Sequence, residues 1–374
     1  MKRDSIVITR RDFITKAAVA GAVVTTPAFL AACGNDDDQP SPAVATVAAT
    51  AVPATPTATM APEPVVHDVR FQFDWIKNVQ FAGHFVADNQ GYFADNNIAA
   101  TLVQGGGGIS TPVTINGPGI EIGAISFLSR TVDAIAAGAD LIVLGAALQQ
   151  SPIGFIYMPD NPVNSIEDLV GKRVGLQGES GIADVDTLFR INGLEPDYEY
   201  VPTGFDPSPV VEGEVDVYYA FLTNQPLALD ARGIEHGVVS LGDLGWTRYG
   251  RLWTTTRTYL AENRDAVVGY MRAGIKGWEH AFADNALAVD LTVNEYGVDL
   301  GLDADTEAAQ LVAQSAFMTS DVTEAKGLMW LDEAVIEGEY EGLRIAGREN
   351  LPAIGDLWDQ SVLEEVFDGA TTLY

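Results

Sequence analysis

Strand-like and helix-like stretches alternate at short spacing from Val66 to about residue 250, and no other feature narrows the fold as much. "VRFQF" alternates as a half-buried strand does, and "FAGHFVADNQ" sets Phe81, Ala82, Phe85 and Val86 on one helical stripe. Gly91 follows where a left-handed helix cap belongs. "IAATLVQ" reads as a strand that closes in four glycines at 105–108. "EIGAISF" is a strand, "SRTVDAIAAG" a helix, and "DLIVLGAAL" and "SPIGFIYM" are strands again. A second unit begins near Asp160, with strands in "RVGLQ", "YEYVPTG", "VDVYYAFLTN" and "GVVSLG" and a helix in "ADVDTLFRINGL". Beyond Tyr249 the text turns helical to the end. This pattern predicts an α/β protein with mainly parallel sheets, in two lobes. The chain is expected to cross between them near 155–160 and 250–256. Lobe one then takes 67–158 and 253–374, lobe two takes 159–252, and a ligand cleft opens between them at the carboxyl ends of the strands.

The first 33 residues read as an address. "MKRDSIVITRRDFITKAAVAGAVVTTPAFLAAC" has a basic start and a short Ala/Gly-rich apolar run from Ala17 to Ala32, too small for a comfortable membrane span. Around Arg10 and Arg11 it resembles a twin-arginine export signal, and "LAAC" resembles a lipobox in which Cys33 is acylated. Cys33 is also the chain's one cysteine among 374 residues, so disulfides, thiolate metal sites and a thiol nucleophile are excluded together. Residues 34–66, rich in Pro, Ala and Thr and free of aromatic residues, read as an extended tether. The protein is therefore expected outside the cytoplasm, held to the membrane by lipid.

The chain carries a net charge of −31; with the leader's five basic and two acidic residues set aside, 16 Lys/Arg face 50 Asp/Glu, a balance of −34. Such a surface repels phosphate backbones, which argues against nucleic acid as a partner. Four histidines make no dense metal cluster, and no cofactor or metal is expected. A hydrolase elbow is also absent, because Ile182 stands where Gly-x-Ser-x-Gly requires its last glycine.

Trp75 and Asn78, then "FAGHFVADNQGYFADNNI", the glycine run, "DLVGKRVGLQ" and "GEVDVYYAFLTNQP" resemble the solute-binding proteins of ABC importers. More narrowly, they resemble the family that binds thiamine pyrimidine precursors, with its sulfonate- and riboflavin-binding relatives. The resemblance runs from about Val69 to the helical end. It implies a periplasmic-binding type II fold, a small planar heterocycle as ligand, an ABC permease with its ATPase as partners, and a monomer that is not an enzyme. An enzyme of the pyrimidine-synthase type and a binder of aliphatic sulfonates or other small solutes are the alternatives. The departure at Gln225, where relatives often carry Glu, favours a larger ring such as riboflavin, with a thiamine pyrimidine close behind.

The expected site starts at Trp75, at a strand end where its face can stack on a flat ring; the alternative is burial between sheet and helix. Asp74 should point the other way along the strand. Asn78 offers a donor and an acceptor, and the helix beginning near Phe81 offers free N–H groups. Ser126 ends a strand at the cleft, and the glycine run can bring backbone N–H groups to a ligand or its phosphate. In lobe two, Glu179 and Ser180 sit between strand and helix. One of Tyr218 and Tyr219 should face the cleft and the other the core, and Asn224 matches a family position. Trp246, Tyr249 and Trp253 are candidates for an opposing stacking wall. Trp278, Trp330 and Trp358 lie in helical text, where packing is expected, and His84 is read as packing or surface.

Overall fold

Ten strands in two five-stranded sheets organise residues 65–374, the part of the chain that the computed structural model describes. The export signal, the lipidation of Cys33 and the tether lie outside the described residues. The strands are β1 (His67–Gln72), β2 (Ile98–Val103), β3 (Ile122–Ile125), β4 (Leu141–Leu148), β5 (Ile153–Tyr157), β6 (Arg173–Leu176), β7 (Glu199–Pro202), β8 (Val217–Phe221), β9 (Gly237–Ser240) and β10 (Gly250–Thr256). The first sheet runs β2-β1-β3-β10-β4 and the second β7-β6-β8-β5-β9. Both are mixed rather than mainly parallel. β1 pairs in parallel with β2 and β3, and β6 with β7 and β8, whereas β10 and β5 run antiparallel to both of their neighbours.

The antiparallel strand of each sheet is the first one laid down after the chain changes sheets. The crossings therefore lie at 149–152 and 241–249, not at 155–160 and 250–256. Pro152 has no N–H to donate and separates β4 from β5. "SPIGFIYM", expected to finish lobe one, instead pairs with β8 and β9. β10, expected as a crossing that leads into helix, is buried at six of its seven positions and supplies β-branched threonines to the middle of the first sheet. The two crossings are tied together where the Ser151 N–H donates to the Arg248 carbonyl at 2.6 Å.

β4 stands last in its sheet, yet its continuous apolar run is not left as an open edge. The C-terminal segment covers it: Val143 N–H donates to Leu357 O at 2.8 Å, and Asp359 N–H returns a bond to Val143 O at 2.9 Å. The helix Ala82–Asn89 packs on the long helix Arg264–Ala283 at glycine-sized spacing. A Cβ on Gly277 would stand 2.0 Å from the Gly83 carbonyl oxygen, and one on Gly83 would meet the Trp278 ring at 2.3 Å. This close approach seals the core of the first lobe, where Phe71, Phe73, Phe85, Trp253, Tyr270 and Trp278 are all buried. Trp330 joins the same core, while Trp358 is partly buried against a smaller cluster near Tyr249.

Candidate functional site

A cleft of about 410 Å³ opens between the two sheets, and both contribute to it. Its walls are the segments that follow strands at their carboxyl ends. Asp74 and Trp75 follow β1, residues 106–109 follow β2, and Ser126, Phe127 and Arg130 follow β3. From the second sheet come Phe205 after β7 and Phe221, Asn224 and Gln225 at the end of β8. Gly250 and Arg251, where the chain re-enters the first sheet, complete it. Parallel strands ending together at a point where the chain changes direction leave a crevice, which is where open α/β sheets take ligands.

A buried polar group forms the floor. Arg251, with its side chain 4% exposed, sends Nε to Asp74 Oδ1 at 3.3 Å and Nη1 to the Gln80 carbonyl at 3.1 Å, and Nη2 bonds Gln80 Oε1. The other carboxylate oxygen of Asp74 accepts from Ser126 Oγ at 2.7 Å. Arg251 takes a left-handed backbone, φ +49°, and its N–H donates to Ser126 O at 3.0 Å. A guanidinium this buried is tolerable because its N–H groups find acceptors on Asp74 and Gln80 and the Phe81 ring centroid lies 4.6 Å from its carbon. Asp74 thus faces the cleft beside Trp75, contrary to strand alternation. β1 ends at Gln72, and the bend at 74–75 no longer obeys a two-residue period.

Trp75 stands on the cleft wall 37% exposed, outside the core. Asn78 and Phe81 do not reach the cleft. Asn78 is buried and caps a short 3-10 turn, Val79–Phe81, its Oδ1 accepting from Gln80 N at 3.2 Å. Phe81 is fully buried and stacks on Phe73 with centroids 4.2 Å apart. The N–H groups expected to await a ligand are not all open, since Val79 N–H donates to Glu307 Oε2 at 2.8 Å. Burial pushes the Glu307 carboxyl up, and the Val79 N–H opposes that shift. His84 is a core residue, described further below.

In the second lobe, Glu179 and Ser180 are exposed at the start of the helix Glu179–Ile191 and are not among the cleft residues. Gln177 Nε2 donates to Tyr219 O at 2.8 Å and ties that loop back onto β8. Tyr218 and Tyr219 do point to opposite faces, but both faces are packed. The Tyr218 hydroxyl donates to Gly204 O at 2.7 Å, and that of Tyr219 to Asp184 Oδ2 at 2.5 Å. Asn224 lines the cleft and Gln225 stands beside it, with Oε1 accepting from Phe221 N–H at 2.8 Å. Trp246, Tyr249 and Trp253 are buried and form no opposing wall. That side instead carries Phe221 and Phe205, the latter 71% exposed. "TGFDPSP" held the signal for Phe205: a lone aromatic in a Gly/Pro turn has no core to enter.

Among the described residues no group of His, Cys, Asp and Glu is placed to hold a metal, and no helix is long and apolar enough to cross a membrane. A family model described as NMT1/THI5 like matches residues 78–288. The chain is 26% identical over 308 residues to the riboflavin-binding protein RibY of Chloroflexus aurantiacus, covering 80% of this chain and 87% of that protein. It is 25% identical over 214 residues to a 4-amino-5-hydroxymethyl-2-methylpyrimidine phosphate synthase of Legionella pneumophila, covering 56% and 67%. Among solved structures, the periplasmic aliphatic sulphonate binding protein SsuA of Escherichia coli superposes with a TM-score of 0.57 at 17% identity, over 75% of this chain and 85% of that one. That likeness shows the fold, the two-lobed α/β architecture of periplasmic binding proteins.

Proposed function

The chain belongs to the NMT1/THI5-like family, and on that premise we propose that it is an extracytoplasmic solute-binding protein, not an enzyme, that captures a small planar heterocycle between its lobes. The observation that carries this is the cleft itself. Both sheets line it, and a partly exposed indole, Trp75, stands at its wall with no core to bury in. Phe205 and Phe221 offer apolar surface from the other lobe. Closure of the lobes would bring these faces toward a ring held at Trp75. Gln225 spends its oxygen on the Phe221 N–H, so its Nε2 is left to donate to a ring carbonyl, which favours a flavin over a pyrimidine amine. The longer match to the riboflavin-binding relative supports the same preference, and a thiamine pyrimidine is the next candidate. A small sulfonate is a second reading, drawn from Arg130, the cleft arginine that Asp74 does not neutralise.

Lobe one takes residues 67–148 and 250–374, and lobe two takes 153–240. Loaded protein would pass its solute to an ABC permease driven by its ATPase, working as a monomer. Cys33 would carry the lipid that keeps it at the outer face of the membrane, with residues 34–66 as tether. Cys33→Ser is then expected to move the exported protein from the membrane pellet to the soluble fraction. Unchanged sedimentation would remove the anchor from this account.

The ligand is testable with a thermal-shift panel of flavins, pyrimidines, thiamine and sulfonates. A true ligand at a hundredfold over its Kd adds about 2.7 kcal/mol of stability. For a ring compound that binds, Trp75→Ala should weaken affinity by about thirtyfold, roughly 2 kcal/mol, from lost stacking and buried area. Trp75→Phe should recover part of it. Because Trp75 lies outside the core, unfolding without ligand should change by far less than the roughly 3–5 kcal/mol that a core tryptophan would cost. Wild-type affinity in Trp75→Ala would take the ring away from this wall.

A further inference from the structure

Eleven of the twelve arginines among the described residues have a side-chain hydrogen bond or ion pair within the protein. The exception is Arg130, and it lines the cleft. In a chain of net charge −31, an unpaired guanidinium has acids in abundance to meet elsewhere. Its place on the helix Leu128–Ala136 is also unrewarded, because a cation in the first turn opposes the helix dipole. The cleft's charged residues are Asp74, Arg130 and Arg251. Asp74 and Arg251 neutralise each other at 3.3 Å, so Arg130 leaves the cleft with one uncompensated positive charge.

The glycine run adds donors to the same cavity. Gly106, Gly107 and Gly108 line it, and their N–H groups have no acceptor among the described residues, whereas Gly105 N–H is bonded to Trp75 O at 3.0 Å. Gly106 and Gly108 hold φ of +147° and +96°, which side-chain-bearing residues rarely adopt, so the run keeps bare backbone at the wall. A guanidinium together with open N–H groups suits an oxyanion.

We propose that the cleft selects ligands bearing one anionic group, a phosphate, sulfonate or carboxylate, and that Arg130 takes this group with the backbone of residues 106–108. The inference rests on the solute-binding reading and deepens it by favouring, among ligands of similar shape, the member that carries an anionic group over its neutral counterpart.

The test uses matched neutral and anionic probes: riboflavin against flavin mononucleotide, 4-amino-5-hydroxymethyl-2-methylpyrimidine against its phosphate, and butanol against butanesulfonate. Kd is measured by titration at low and high salt. In at least one pair the anionic member should bind about tenfold or more tightly than its partner, and less so as salt rises. Arg130→Gln should reduce that preference to about twofold or less, and Arg130→Lys should keep most of it. The melting temperature without ligand should stay put in both variants, since Arg130 is exposed and makes no side-chain hydrogen bond or ion pair among the described residues. Equal or better binding of the neutral members, a preference that survives Arg130→Gln, or no binding by any anionic probe overturns the proposal. Binding of neutral rings alone would leave the heterocycle reading standing while removing the anion site. Arg130-dependent binding of butanesulfonate alone would do the reverse.

Discussion

Arg248→Met is expected to lower the unfolding free energy by about 3–5 kcal/mol, the cost of breaking a buried ion pair from one side. Arg248 ends the second crossing with its side chain 4% exposed. Its Nη1 and Nη2 reach Asp184 Oδ1 and Oδ2 at 2.7 and 2.8 Å, a bidentate grip on the helix Glu179–Ile191. The guanidinium lies 4.2 Å over the Trp246 ring and 5.3 Å over that of Phe127, which belongs to the first lobe. Burial works against its charge, and the Asp184 carboxylate more than offsets this, so Arg248 is held protonated beyond its ordinary range. Methionine fills similar volume but leaves Asp184 with only the Tyr219 hydroxyl beside it. Adding Asp184→Asn to Arg248→Met should recover a substantial part of the loss, because the stranded charge goes with it. Denaturant titration of both single variants and the double checks this. A loss under about 1 kcal/mol for Arg248→Met would mean the pair is screened as surface pairs are.

The same residue marks a limit of what the sequence discloses. Arg248 and Asp184 are 64 positions apart, and Arg251 and Asp74 are 177 apart. No local period reports such a pairing. Strands and helices were legible where each obeyed its own period, as in "VRFQF" and "ADVDTLFRINGL", or where a short unbroken apolar run marked a buried strand, as in "DLIVLGAAL". β10 escaped because its threonine-rich text runs directly into a helix at Arg257, with no Gly or Pro to separate them. Its partners, β3 and β4, lie more than a hundred residues earlier. The first crossing was misplaced by a few residues although Pro152 marked it, since "SPIGFIYM" is apolar enough for either sheet.

At the cleft, Trp75, Ser126 and Asn224 could be found from strand ends, because a chain leaving a parallel strand must pass the crevice. Asn78 and Phe81 could not be sorted from Trp75 by proximity in sequence. The 3-10 turn Val79–Phe81 carries them under the surface within one turn. For Tyr218 and Tyr219 the alternation rule gave the right geometry and the wrong surroundings. Two opposite faces do not make one of them a cleft face when helices and loops cover both.

His84 should make the first lobe acid-sensitive, by about 2–3 kcal/mol at pH 4.5 and more as pH falls toward 3. Its ring is 1% exposed, with the Phe71 and Trp253 centroids each 4.5 Å away and Phe73 at 5.2 Å. Neither ring nitrogen makes a hydrogen bond of normal geometry. Burial first, and then the charge of Arg251, pull its pKa down to about 3, with the Phe81 carbonyl opposing weakly. Below pH 6.5 the unfolded chain therefore binds a proton that the fold refuses. Stability from this group is complete above pH 6.5 and is lost as pH falls toward 3. Glu339 acts in the opposite sense. Burial raises its carboxyl to about 7, against the pull of Arg248 and the Tyr249 and Leu128 N–H groups. Its contribution is present below pH 4.5 and fades as pH rises through 7. The two slopes overlap between pH 4.5 and 6.5, so the wild-type profile alone does not separate them. His84→Leu does, since it removes one and keeps the other. Denaturant unfolding of both proteins at pH 7 and pH 4.5 should show the wild type losing about 2–3 kcal/mol more than the variant over that interval. Equal losses would mean that the imidazole gains water or a partner on protonation and that this part of the core opens to admit it.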